Sequence, residues 1–257
     1  MKKPKVFVVG NEKGGAGKTT CAMHLIAGLL DRGYKVLSID ADSRQASLTS
    51  YVNNRKSQTE VNLLHPIHFH IAESSLKDEE SQIEEYESKL SEALSYEGID
   101  YVVIDTPGSC TLLSKICHQA ADTILTPLND SFVDLDVIAK FDPKTLNVIK
   151  PSIYSQMVWE QKLMKAKKNS GSIKWMVFRN RLSNTDAINK RRVSQALESL
   201  SKRIDFQIIS GFSERVAFRE LFVRGMTLLD ASKENKILNS SSLLAKQEVR
   251  SFLNYLL

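Results

Sequence analysis

The run Lys13-Gly14-Gly15-Ala16-Gly17-Lys18-Thr19-Thr20 lies between a short apolar stretch, Val6 to Val9, and a longer one, Cys21 to Leu30. A β-branched run feeding a glycine-rich turn and then a helix-length apolar segment predicts strand, loop and helix in direct succession, the start of a layered α/β domain. Glycines let successive backbone N–H groups turn toward one anion, the helix that follows presents its positive N-terminal end, and a lysine adds a full charge. Gly14, Gly15, Ala16, Gly17, Lys18, Thr19 and Thr20 are therefore expected to cradle the phosphates of a nucleoside triphosphate. Lys18 is the phosphate lysine, and Thr19 supplies the hydroxyl that such loops place on magnesium.

The general phosphate-loop pattern asks for glycine six residues before that lysine, where this chain has Glu12. It has instead an extra lysine, Lys13, ahead of a double glycine. In this the loop resembles the deviant Walker A signature of the ParA/MinD class of ATPases. The resemblance implies ATP as ligand and a lysine at position 13 that reaches the phosphates of a partner subunit, hence a homodimer when ATP is bound.

Short apolar runs alternate with helical stretches along all 257 residues, the pattern of one doubly wound α/β domain, residues 1–257, with a mostly parallel sheet. Strands are predicted at about 5–10, 35–40, 67–72, 100–105, 122–127, 173–178 and 205–210. Ser75 to Tyr96 reads as a helix opened by a Ser75-x-x-Asp78 capping pattern, Lys165 to Ser172 as a mobile loop, and Ser241 to Leu257 as a packing helix. Lys2 and Lys3 precede only a five-residue apolar stretch, too little for a leader or a span, so the chain is expected in the cytoplasm and off the membrane. Cys21, Cys110 and Cys117 form no Cys-x-x-Cys pair, which fits a reducing compartment.

Two apolar strands end in acids. Tyr101 to Asp105 runs into Thr106-Pro107-Gly108, similar to a Walker B strand with its switch glycine, so Asp105 is expected beside magnesium and Gly108 beside the terminal phosphate. Val36 to Ile39 ends in Asp40-Ala41-Asp42. By resemblance to the same class, Asp40 lies near the metal, giving the metal set Thr19, Asp40 and Asp105. Asp42 orients the attacking water, and with Lys13 and Lys18 it makes up the catalytic set. Each acid taken alone reads equally well as a helix cap. Asn180, after the sixth strand, is expected at the adenine, with a plain turn residue as the alternative.

Beyond the nucleotide motifs, Gly10-Asn11-Glu12, Asp42-Ser43-Arg44-Gln45, Asn129 to Asp134, Phe178 to Leu182, Phe218 to Phe222 and Thr227 to Asp230 are together similar to the MipZ family of division-plane-positioning ATPases. That resemblance implies recruitment by the centromere-binding protein ParB, non-specific DNA binding as a dimer on the nucleoid, inhibition of FtsZ assembly, and slow hydrolysis that resets the switch. A partition motor of the ParA type and a metabolic ligase of the dethiobiotin synthetase type are the alternatives on the same fold.

Charge is uneven. Residues 1–150 carry 16 basic against 21 acidic side chains, whereas residues 151–257 carry 19 against 9, so the overall +5 conceals a basic C-terminal part. A helix predicted from Asn184 to Arg203 would leave Arg191, Arg192, Lys202 and Arg203 outside its apolar face. With Arg215 and Arg219 they are the candidate DNA contacts, each also readable as a solvated charge. His65, His68 and His70 cluster near the third strand but lack partners at ligand spacing, which argues against a metal there. Cys110 and Cys117 follow the switch glycine, where the related nitrogenase iron protein carries cluster cysteines; the local sequence differs.

Overall fold

The computed structural model describes residues 3–129, 132–142, 148–168, 170–182, 187–213, 217–231 and 240–257. Seven parallel strands form one sheet: β1 (Lys5–Val9), β2 (Val36–Asp40), β3 (Ile67–His70), β4 (Tyr101–Asp105), β5 (Thr123–Asn129), β8 (Lys174–Leu182) and β9 (Gln207–Ser213), in the order β3-β2-β4-β1-β5-β8-β9. All seven coincide with the apolar runs of the sequence. A two-stranded antiparallel hairpin, β6 (Ala139–Phe141) with β7 (Val148–Pro151), was not expected. Its strands are too short to show a period, and Lys140 and Lys150 break the apolar pattern.

Alternation along the strands sorts the core into two layers. On β1, Phe7 and Val9 pack with α1 (Lys18–Asp31), α2 (Ser47–Ser57) and α9 (Ser240–Leu256), while Val6 and Val8 pack with α3 (Glu79–Leu94), α4 (Leu112–Ala120), α6 (Ile153–Lys167) and α7 (Ala187–Ile204). A four-residue turn of helix, α5 (Phe132–Leu135), precedes the hairpin, and α8 (Ala217–Val223) precedes the segment that meets α2. There Arg55 forms a buried two-pronged pair with Asp230, at 2.8 and 3.0 Å. Removing either partner would strand a buried charge, at a cost of about 3–5 kcal/mol.

Three local expectations change. The N-cap of α3 is Asp78, whose carboxylate accepts from the Ser81 N–H at 2.9 Å; Ser75 lies outside the helix. Lys165 to Lys167 are helical, and Lys165 is buried with its ammonium donating to Ala121 O and Asp122 Oδ1, so the expected loop begins only at Lys168. On α9, Ala245, Val249, Phe252, Leu253 and Leu256 pack inward, but Leu243 and Leu244 are exposed.

Candidate nucleotide site

β1, β2 and β4 deliver their C-terminal ends to one edge of the sheet in register, Val9 beside Asp105 and Asp105 beside Asp40. Parallel sheets bind ligands at this edge. The chain leaves β1 through Asn11, whose amide donates to Pro127 O at 2.6 Å and whose Oδ1 accepts the Lys13 N–H at 2.7 Å. Asn11 thus pins the loop between β1 and β5, a role hidden in sequence because its partner lies 116 residues away.

Gly17 closes the loop and caps α1 at φ 91°, a left-handed conformation, and a Cβ there would lie 2.1 Å from Asn180 Nδ2. No side chain caps α1 and its first turn holds no acid, so its leading N–H groups remain open to an anion. The cleft in front of them, about 460 Å³, is lined by Gly14, Gly15, Gly17, Lys18, Thr19 and Thr20 of the loop, by Asp42, and by Thr106 to Ser109. Arg181, also at left-handed φ (54°), lines its outer wall. Gly108 approaches the loop closely, its virtual Cβ 3.2 Å from the Gly14 nitrogen.

Lys18 is 8% exposed and its ammonium donates to Lys13 O at 3.2 Å. Burial lowers its pKa, opposed by the Asp105 and Asp42 carboxylates. Thr19 donates its hydroxyl to Asp105 Oδ2 at 2.6 Å, whereas the buried Asp105 Oδ1 has no hydrogen-bond partner among the described residues. Burial first, then the Asp40 and Asp42 charges, push the Asp105 carboxyl up to about 7, against the Thr19 hydrogen bond and Lys18. An orphaned carboxylate oxygen beside a hydroxyl is a hard-oxygen donor set that fits magnesium.

Asp40, fully buried, is differently engaged. Its Oδ1 accepts the Asp42 N–H at 3.0 Å, and its Oδ2 accepts both the N–H and the hydroxyl of Thr49, at 2.8 and 2.9 Å. The carboxylate therefore ties the Asp42 turn to the first turn of α2, which is the capping alternative open in the sequence. His68 extends this tie, with its two nitrogens 2.8 Å from Ser38 Oγ and 3.0 Å from Thr49 Oγ1; burial lowers its pKa to about 4. Asp42 accepts the Arg44 and Gln45 N–H groups through Oδ1 and faces the cleft. Asn180 is buried and donates from Nδ2 to Ala16 O at 2.9 Å, so its amide braces the loop.

Lys13 does not line the cleft; its ammonium lies 2.5 Å from Asp134 Oδ1 of α5. Asp134 escaped the sequence reading as a partner because 121 residues separate the two. Among the candidate DNA contacts, Arg191, Lys202 and Arg203 are exposed on α7; the side chains of Arg192 and Arg219, and all of Arg215, lie outside the described residues. No group of three or more His, Cys, Asp or Glu side chains among the described residues could hold a metal ion. Cys117 is buried in the core, and Cys110 lies 3.7 Å from Glu12.

A parallel sheet with a glycine-rich loop at its C-terminal edge, two lysines in that loop and an acid at the end of the neighbouring strand define a P-loop ATPase of the ParA/MinD type. Residues 5–257 match the sequence family described as ATPase MipZ, and the chain belongs to that family. It is similar to the chromosome-partitioning ATPase Soj of Thermus thermophilus, at 32% identity over 53% of this chain and 59% of Soj. It is also similar to the chromosome partitioning protein ParA of Myxococcus xanthus, at 27% identity over 61% and 62%. The alignments thus span about three fifths of these relatives. In fold it resembles apo McdA of Cyanothece, at TM-score 0.61, 21% identity and coverage of 96% and 99%. It likewise resembles a Borrelia burgdorferi plasmid partition protein bound to AMPPNP, at TM-score 0.60, 17% identity and coverage of 98% and 100%. Family and relatives together support a partition or positioning ATPase.

Proposed function

We propose that the chain is an ATP-driven dimerisation switch that positions the division plane. The observation that supports this is Lys13, a second lysine in the phosphate loop whose ammonium pairs with Asp134 instead of lining the cleft. Lys18 and the open amides of α1 would bind the phosphates, Thr19 and Asp105 would hold magnesium, and Asp42 would align water. Asp40 and Thr49 fix the turn that carries Asp42. A magnesium ion in that place would neutralise charge on the terminal phosphates. For Lys13 to reach a partner subunit's phosphates it must leave Asp134. An ion pair whose lysine is 39% exposed is worth about 1 kcal/mol or less. Charge-assisted contact to a triphosphate outweighs that.

The partners are proposed with it: ParB as recruiter, DNA bound without sequence preference through cations such as Arg191, Lys202 and Arg203, FtsZ as the target, and a cytoplasmic, nucleoid-associated location. Among the described residues no helix is long and apolar enough to cross a membrane. Partition of DNA is the second reading, favoured by the names of the curated relatives. Sedimentation of FtsZ polymers with and without ATP separates the two. The division reading predicts less pelleted FtsZ only with ATP, and an unchanged pellet would turn the assignment to partition.

A further inference from the structure

The helix α6 is amphipathic in an unusual sense, because much of its outward arc is apolar too. Tyr154, Met157, Val158, Gln161 and Lys165 face the core. On the other side Ile153 is 71% exposed, Trp159 56%, Leu163 39% and Met164 49%. At 100° per residue these four fall within one arc of about 140°, interrupted only by Gln156, Glu160 and Lys167. Four large exposed apolar side chains on one face of a helix, in two pairs on either side of those polar residues, mark an interaction surface, and tryptophan and methionine are the residues interfaces favour.

Charge at the two ends identifies the occupant. Lys167 is exposed at the C-terminal end of the stripe. At the N-terminal end, Lys140 and Lys150 face each other directly in the β6–β7 ladder, both exposed, an arrangement that costs stability until an anion approaches. A second copy applied face to face would set lysines against lysines. Glu160 and Gln156 within the arc disfavour a lipid surface, and the four apolar side chains offer nothing to a phosphate backbone.

We infer that the outer face of α6, with the hairpin beside it, docks an acidic amphipathic helix of a partner protein, its apolar stripe on Trp159 and Leu163 and its carboxylates on the flanking lysines. The helical stripe from Ile153 to Met164 is about 16 Å long, three turns of such a helix. Behind it, the Tyr154 hydroxyl lies 3.2 Å from His118 of α4 and 3.0 Å from Thr126 of β5, so the docking helix is bonded to elements that flank the nucleotide loop.

The chain holds two tryptophans, and Trp175 is buried, so solvent-exposed emission reports Trp159. The full chain without nucleotide is titrated with a panel of acidic amphipathic peptides differing in their apolar anchors, and with twins in which each acid is replaced by lysine. The expected result is a saturable blue shift with at least one acidic peptide, at least tenfold weaker with its lysine twin and abolished by Leu163→Asp, while ATP affinity is unchanged. No binding by any acidic peptide overturns the inference, as does equal binding of the lysine twins. The same shift with phosphatidylglycerol vesicles would reassign the face to lipid, and a concentration-dependent shift without peptide would reassign it to a second copy. Because nucleotide is omitted, failure here leaves the switch reading untouched.

Discussion

At the ends of β2 and β4, Asp40 and Asp105 are register partners, both buried, both at the carboxyl edge of the sheet. They differ in who holds them. Among the described residues Asp40 accepts three hydrogen bonds, from the Asp42 turn and Thr49, while Asp105 accepts one, from Thr19, and keeps an orphaned oxygen. Burial alone does not tell them apart; the unfilled acceptor does. The β2 end acts as a joint and the β4 end is the proposed metal socket, and the two should fail differently when altered.

The largest effect is expected at the joint. Asp40→Ala leaves two backbone N–H groups and a hydroxyl without their acceptor, at about 1–3 kcal/mol each before water relieves part of it, so urea denaturation should show a loss of roughly 3–4 kcal/mol. Nucleotide affinity measured on the folded fraction should change far less. The comparison breaks if the ordering reverses. Next comes the socket: Asp105→Asn should weaken magnesium-dependent ATP binding by about 100-fold in calorimetric titration, a drop typical of a disturbed metal shell. Folding stability should hold or rise, since the variant buries an amide in place of a carboxyl that resists ionisation.

Acid sharpens the contrast further. His68 titrates near 4 in the fold against 6.5 in the unfolded chain, so the unfolded state takes up the proton first. Stability from this residue is therefore full above 6.5 and is lost as pH falls toward 4. Because His68 is partly exposed, the loss at pH 5 should be about 1 kcal/mol, read from urea midpoints and removed in His68→Gln. The smallest change is expected at the Lys13–Asp134 pair: Asp134→Ala should alter stability by about 1 kcal/mol or less while lowering the ATP concentration at which dimers form, read by light scattering.

The seven strands were legible in the sequence because a parallel sheet covered on both faces leaves short, nearly continuous apolar runs, and Val6 to Val9 or Tyr101 to Ile104 can be little else. The phosphate loop was legible because its residues are consecutive and each glycine or lysine has a chemical reason. What could not be read depends on distant partners. Asp40 is tied to Thr49 of α2, a contact the strand-end motif does not show, and Asn11 becomes a brace through Pro127. Lys13 finds Asp134 only once β5 lies beside β1. The outward apolar arc of α6 was not legible either. Its period shows four large apolar residues without saying that they are left exposed.

Whether position 13 acts on its own nucleotide or on a neighbour's decides between a plain ATP-binding protein and a switch. Size-exclusion chromatography with light scattering on the wild-type chain, Lys13→Ala and Asp42→Ala, each with and without magnesium-ATP, answers this directly. The expected result is a doubling of mass with ATP for the wild type, a persistent doubling for Asp42→Ala as hydrolysis stalls, and a single-chain mass for Lys13→Ala despite retained nucleotide binding. A wild-type chain that binds ATP and stays single, or a Lys13→Ala variant that pairs as well as the wild type, would contradict it.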